Sequence, residues 1–95
     1  MEVLLRTIDS FSGEYLSEVR EADDFTGAGI RDAFNRELVE LGTPVAGLFT
    51  LVDWRMTKDG NTAAFTLRSF CPSNHYMVGI AYSKFQKTKN KEIPK

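Results

Sequence analysis

Scarcity narrows this chain first. It holds one cysteine, one histidine and three prolines among 95 residues. Cys71 alone closes no intramolecular disulfide and builds no cysteine-type zinc site. No apolar run approaches the roughly 18 residues that a membrane-spanning helix needs. The opening Met1-Glu2-Val3-Leu4-Leu5-Arg6 carries neither a basic leader nor a signal-type apolar block. The expectation is a cytoplasmic protein that starts at its natural Met1. Gly27-Ala28-Gly29 is a bare GxG, without the third glycine or the Lys-Ser/Thr of a phosphate-binding loop. There is no internal repeat and no low-complexity stretch.

What is present describes a globular chain: 42% hydrophobic, 12% aromatic and 26% charged residues. The length suits one domain, drawn at 1–86, followed by a flexible basic tail at 87–95. Net charge is −1 but unevenly spread. Residues 1–40 carry ten acids against four arginines, and residues 41–95 carry eight bases against three acids. Such asymmetry suggests either a charged partner or simply two solvated surfaces.

Residues 2–9 and 15–22 read as a hairpin around a three-residue loop, Phe11-Ser12-Gly13, with Gly13 left-handed. That register sets Ile8 opposite Leu16, Leu5 opposite Val19 and Arg6 opposite Glu18. Residues 26–41 read as the one substantial helix. Ile30, Ala33, Phe34, Leu38 and Leu41 form its apolar side, and Arg31, Asp32, Asn35, Arg36 and Glu40 the other. Asp23, Asp24 and Thr26 offer caps, and Gly42 and Pro44 a stop. Gly27 and Gly29 weaken the first turn and suggest a late start. Residues 45–56 and 62–70 read as a second hairpin around a type I′ turn at Asp59-Gly60. That turn faces Trp54 with Phe65, Val52 with Leu67 and Met56 with Ala63 on the helix-covered side. Arg55 with Ala64, Asp53 with Thr66, Leu51 with Arg68 and Phe49 with Phe70 fall on the other. A last strand lies near residues 76–85. The fold class is α+β: a mainly antiparallel sheet, β-β-α-β-β-β, with one helix packed on one face.

Chemistry-bearing constellations are few. Cys71 and His75 flank a Pro72-Ser73-Asn74 turn and would make a thiol–imidazole pair. Cys71 reads equally as a small strand-end residue. Glu21, Asp23 and Asp24 are acidic but lack the ligand spacing and glycine of a calcium loop. No metal, cofactor or catalytic set is expected. Arg55, Arg68, Phe49, Phe70 and the lysines Lys84, Lys87, Lys89, Lys91 and Lys95 supply the charge and rings used for single-stranded nucleic acid or a small anion. Glu14, Glu18, Glu21, Asp23, Asp24, Glu37 and Glu40 form an acidic surface that would mimic nucleic-acid phosphate.

The strongest pattern is the sheet face away from the helix, where Phe49, Leu51, Asp53, Arg55, Arg68 and Phe70 are expected together. Aromatic and arginine side chains anchor interfaces, and a homodimer or another protein would cover them. In scale and layout the chain resembles the stand-alone inhibitors encoded by phages and mobile elements, including anti-CRISPR and other anti-defence proteins. The resemblance implies a non-enzymatic module that binds one host protein and occludes its surface.

Overall fold

The computed structural model describes residues 1–70 and 74–86. It contains strands β1 (Glu2–Asp9) and β2 (Tyr15–Glu21), helix α1 (Gly27–Glu40), a one-turn 3-10 helix (Val45–Gly47), and strands β3 (Thr50–Met56), β4 (Thr62–Ser69) and β5 (His75–Tyr82). The order β-β-α-β-β-β is the one the sequence predicts. The basic tail expected at 87–95 lies outside the described residues.

All neighbouring strands are antiparallel, in the order β2-β1-β5-β4-β3. Helix α1 therefore carries the chain from one sheet edge, β2, to the other, β3, and covers one face on the way. The last strand, β5, fills the centre between the two hairpins. Under α1 lie Val3 and Leu5 of β1, Phe65 and Leu67 of β4, and Met77 and Ala81 of β5, against Ile30, Ala33 and Phe34 of the helix. Fully burying such side chains stabilises the fold by about 1.5–3 kcal/mol each for the larger ones. Gly79 marks a close approach between β5 and β1. A Cβ there would sit 2.6 Å from the Arg6 carbonyl oxygen, 2.7 Å from Thr7 Cγ2 and 3.0 Å from the Phe65 ring.

The helix is capped at both ends. Thr26 accepts a hydrogen bond from the Gly29 N–H at 3.0 Å and donates its hydroxyl to Asp24 at 2.7 Å. Thr43 N–H reaches the Leu38 carbonyl and Gly42 N–H the Val39 carbonyl, the paired closure of a glycine-terminated helix. Three expectations change here. The helix starts at Gly27 rather than late. A Cβ on Gly27 would run into the Leu51 side chain, so the glycine lets the first turn lie against β3. Asn35, assigned to the outer side, is buried, and Leu41, assigned to the core, is 73% exposed beyond the last turn.

Both hairpins depart from their predicted geometry. In the first, the Asp9 carboxylate accepts the N–H groups of Phe11 (2.7 Å) and Ser12 (3.2 Å), and Gly13 N–H donates to the Asp9 carbonyl. Asp9 thus faces Glu14, and Ser10 joins the loop. The register moves by one: Ile8 faces Tyr15, Leu5 faces Glu18 and Leu4 faces Val19. In the second, Gly60 N–H donates to the Thr57 carbonyl at 3.1 Å. Gly60 is left-handed (φ 73°) while Asp59 is not. A type I′ turn needs both, so this is a Thr57–Gly60 turn that closes on the Thr57–Thr62 pair. It preserves the predicted register near the loop, where Trp54 faces Phe65, Arg55 faces Ala64, Met56 faces Ala63 and Asp53 faces Thr66.

Further along, a bulge between Leu51 and Asp53 breaks the register. Leu51 faces Leu67 and Thr50 faces Arg68, while Val52 is the extra residue, half exposed. The predicted Val52–Leu67, Leu51–Arg68 and Phe49–Phe70 pairings do not form. The cause is visible at Asn35. Its amide donates to the Phe49 carbonyl and its Oδ1 accepts the Phe49 N–H, both at 2.8 Å. This clamp ties Phe49 to the helix side, and the bulge absorbs the odd residue that brings Leu51 inward as well.

Candidate functional site

The bulge divides the predicted partner-binding set. Phe49 is buried in the core against Phe34 (ring centroids 6.3 Å), and Leu51 packs on the same core. Neither reaches the open face. Asp53, Arg55 and Arg68 do lie there, with Phe70 just beyond the end of β4. Asp53 and Arg55 pair with one another at 3.1 Å, an exposed bridge of small energetic weight.

The register identifies the side chains that make up the open face. Leu4, Arg6 and Ile8 of β1 lie between Val19, Ser17 and Tyr15 of β2 and Tyr82, Ile80 and Val78 of β5. Ala64, Thr66 and Arg68 of β4 flank β5 on its other side, opposite Ile80, Val78 and Tyr76. The middle of the face is aliphatic: Ile8 is 53%, Val78 52% and Ile80 40% exposed, with Tyr15 beside them at 58%. Sequence reasoning missed these residues. The signal was present, because β1 and β5 are apolar on both alternations (Val3 and Leu5 against Leu4 and Ile8; Met77 and Ala81 against Val78 and Ile80). A single helix covers only one of them.

The six arginines separate into two groups. Arg20 pairs with Glu18, Arg31 with Asp32, Arg36 with Asp23 and Arg55 with Asp53. Among the described residues Arg6 and Arg68 have no carboxylate partner. Both belong to the open face, and both lie over aromatic rings: Arg6 over Tyr82 (5.3 Å), Arg68 over Phe70 (4.5 Å) and Tyr76 (6.0 Å). Arg68 also reaches the Tyr76 hydroxyl at 3.5 Å, the edge of hydrogen-bonding range, and its Nε–H is buried without an acceptor. At the Arg6 end the face is hollowed into a groove of about 510 Å³, lined by Glu2, Leu4, Arg6, Ser17 and Val19 and walled by Phe85 and Gln86.

Part of the acidic surface is paired within the chain. Glu21 binds the terminal ammonium, whose hydrogen bond and charge hold its carboxyl below the usual range. Glu18 and Asp23 meet arginines, and Asp24 accepts the Thr26 hydroxyl. Glu37 and Glu40 share a shallow surface with Arg20 and Arg36. Glu14 sits opposite Asp9 at the end of the first hairpin loop. Among the described residues no group of three or more His, Cys, Asp or Glu is placed to hold a metal ion.

Of the Cys71–His75 pair, Cys71 lies outside the described residues. His75 bonds to the first hairpin. Its Nε2 lies 2.8 Å from the Asp9 carboxylate, and the Phe11 ring stacks on it at 4.6 Å. Burial works against the Asp9 carboxylate, but the His75 hydrogen bond and the Ser12 and Phe11 N–H groups outweigh it and hold its pKa below the ordinary value. Ser10 adds two bonds to Tyr76, through its N–H and its hydroxyl. This constellation pins the first loop to the start of β5.

No family model, no curated protein and no solved structure matches the chain. Among the described residues no helix is long and apolar enough to cross a membrane.

Proposed function

We propose that this is a non-enzymatic protein-binding module whose working surface is the open face of the sheet, acting as a small inhibitor acts, by covering a partner's surface. The observation that carries the reading is the contiguous aliphatic patch of Ile8, Val78 and Ile80, left uncovered on the central strands. A β-branched side chain left half in water forgoes on the order of 1 kcal/mol of burial. Five strands about 4.8 Å apart and about seven residues long at roughly 3.3 Å per residue present a face of roughly 550 Å². Covering it from both sides clears the ~1,000 Å² of a specific interface. The kinship in scale with phage-encoded occluding inhibitors accords with this use.

Nucleic acid is the weaker reading. Single strands are held by stacking bases on open aromatic faces. Here the centre is aliphatic, and rings of Tyr82 and Phe70 already carry guanidinium groups.

The test is a Val78→Ser/Ile80→Ser double variant, whose substitutions lie on the exposed side of β5. Native mass spectrometry from host lysate is expected to find the wild-type chain with a stoichiometric protein partner, and the variant, shown by a cooperative melt to be folded, without it. Retention of the partner by a folded variant would move the site off this face. A wild-type chain found only as a homodimer would replace the occluding role with self-assembly.

A further inference from the structure

We infer that the open face is built for an acidic partner: an amphipathic helix of another protein, whose apolar stripe is bracketed by two carboxylates that meet Arg6 and Arg68. The inference rests on the reading of the open face as a protein-binding surface and adds the chemistry of what it binds.

The first support is the selectivity of charge pairing. Four of six arginines have found a carboxylate, one of them on this same face. The two that have not, Arg6 and Arg68, lie on either side of the aliphatic centre. Each is held over a ring rather than left free. Stacking pre-orients a guanidinium, so less side-chain freedom is lost when a carboxylate arrives. Charge-assisted pairs of this kind are about twice as strong as neutral hydrogen bonds.

The second support is spacing. Arg6 faces Ile80 and Arg68 faces Tyr76, four residues away along β5 and on its opposite flanks. With about 3.3 Å per residue and about 4.8 Å per strand, their backbones are roughly 16 Å apart. On an extended segment that span is about five residues, an odd number, so the two ends point to opposite sides. On an α-helix it is about eleven residues, close to three full turns, so both ends share one side with the apolar residues between them. A helix of that length therefore presents both carboxylates on the side that carries its apolar stripe. The groove beside Arg6, closed by Phe85, gives the end of such a stripe a place to insert.

A second copy of this chain fits poorly. Among the described residues its one α-helix, α1, already spends its apolar side on the opposite face. Two open faces packed together would bring the Arg6 and Arg68 of both copies into one interface, where Asp53 is already paired with Arg55.

The probe is a synthetic helical peptide with two glutamates about eleven residues apart and leucines at helical spacing between them. Its comparison is the same peptide with both glutamates replaced by glutamine. Binding is read by fluorescence anisotropy at low and moderate salt. The glutamate peptide is expected to bind about tenfold or more tightly than the glutamine peptide. Arg6→Gln and Arg68→Gln should each remove about a threefold share of that factor, since each breaks one of the two pairs, and Arg68→Lys, which keeps the charge, should restore part of it. Urea midpoints of the variants confirm that the fold survives. Equal affinity for the two peptides, or indifference to both arginines, overturns the inference. If such indifferent binding is still lost in Val78→Ser, the open-face reading stands and only the acidic partner falls. Failure of either peptide to bind, or tighter Arg6- and Arg68-dependent binding of an oligothymidylate, also overturns it.

Discussion

The Asn35 clamp makes the sharpest prediction about the fold. Both hydrogen bonds between its side chain and the Phe49 backbone are 2.8 Å long, and both are buried. Asn35→Ala removes both partners of Phe49 at once. Water has little access there, since Phe49 itself is buried. Each orphaned buried backbone group costs about 1–3 kcal/mol. The expected loss is therefore about 2–6 kcal/mol, a large share of the ~5–15 kcal/mol that a small domain possesses. Equilibrium unfolding in urea reads it, with Trp54 fluorescence as the signal because its ring packs between Phe25 and Phe65. With a typical slope of about 1–3 kcal/mol/M, the midpoint should fall by about a molar unit or more.

Asn35→Asp refines the argument. The carboxylate still accepts the Phe49 N–H, but it sets a second acceptor against the Phe49 carbonyl and buries a charge. The new group's pKa is thus raised in the folded state, and its deficit against wild type should shrink as pH falls and a protonated carboxyl donates to that carbonyl. Amide exchange at Phe49 supplies an independent readout, slow in wild type and accelerated in Asn35→Ala. A loss below about 1 kcal/mol in Asn35→Ala, or a constant deficit in Asn35→Asp across pH, would refute the account of the clamp.

Gly79→Ala should destabilise by about 1–3 kcal/mol, because the new methyl meets a backbone oxygen at 2.6 Å and cannot displace it cheaply; thermal melts measure it. Thr26→Ala should lose about 1 kcal/mol of cap energy, with Thr26→Ser nearly neutral by the same melts. The Asp9 carboxyl has a lowered folded-state pKa, so its contribution is present above the ordinary aspartate range and fades as pH falls through the folded value. Urea midpoints measured from pH 6 downward should therefore converge for wild type and Asp9→Asn below about pH 4; parallel curves would remove Asp9 from the acid response.

Much of the fold was legible because local signals agreed. Turn glycines at Gly13 and Gly60, the Thr26 cap and the Gly42 stop each put an element boundary within a residue or two of its place. What was not legible depended on contacts between distant segments. Whether the first loop spans three or four residues turns on where the Asp9 side chain bonds, and that single residue shifts every pairing of β1 with β2. The β3 bulge is set by an amide on the helix, fourteen residues away from the strand residue it holds. A strict two-residue alternation carried Phe49 and Leu51 to the wrong face, while Asp53 and Arg55, on the near side of the bulge, came out correctly. The aliphatic centre of the site was hidden for a different reason. A strand apolar on both faces reads as fully buried, and only the placement of β5 at the middle of a sheet with one helix shows that its second face is bare.

Charge tells the same story in space. In the sequence the acidic and basic halves look like two opposed surfaces. Folding places the arginines of the acidic half beside its carboxylates, at Glu18, Asp23 and Asp32, and binds Glu21 to the terminal ammonium. Arg6, also from the acidic half, instead joins Arg68 from the basic half on the open face. Four of the ten carboxylates in residues 1–40 are thereby held by arginines or the terminal ammonium. The two unpaired guanidiniums beside the aliphatic strands belong to neither half of the sequence but to one face of the sheet. Where a partner meets this protein, it meets uncompensated positive charge on either side of uncovered apolar surface, and the complement of that arrangement is an apolar surface with acidic ends.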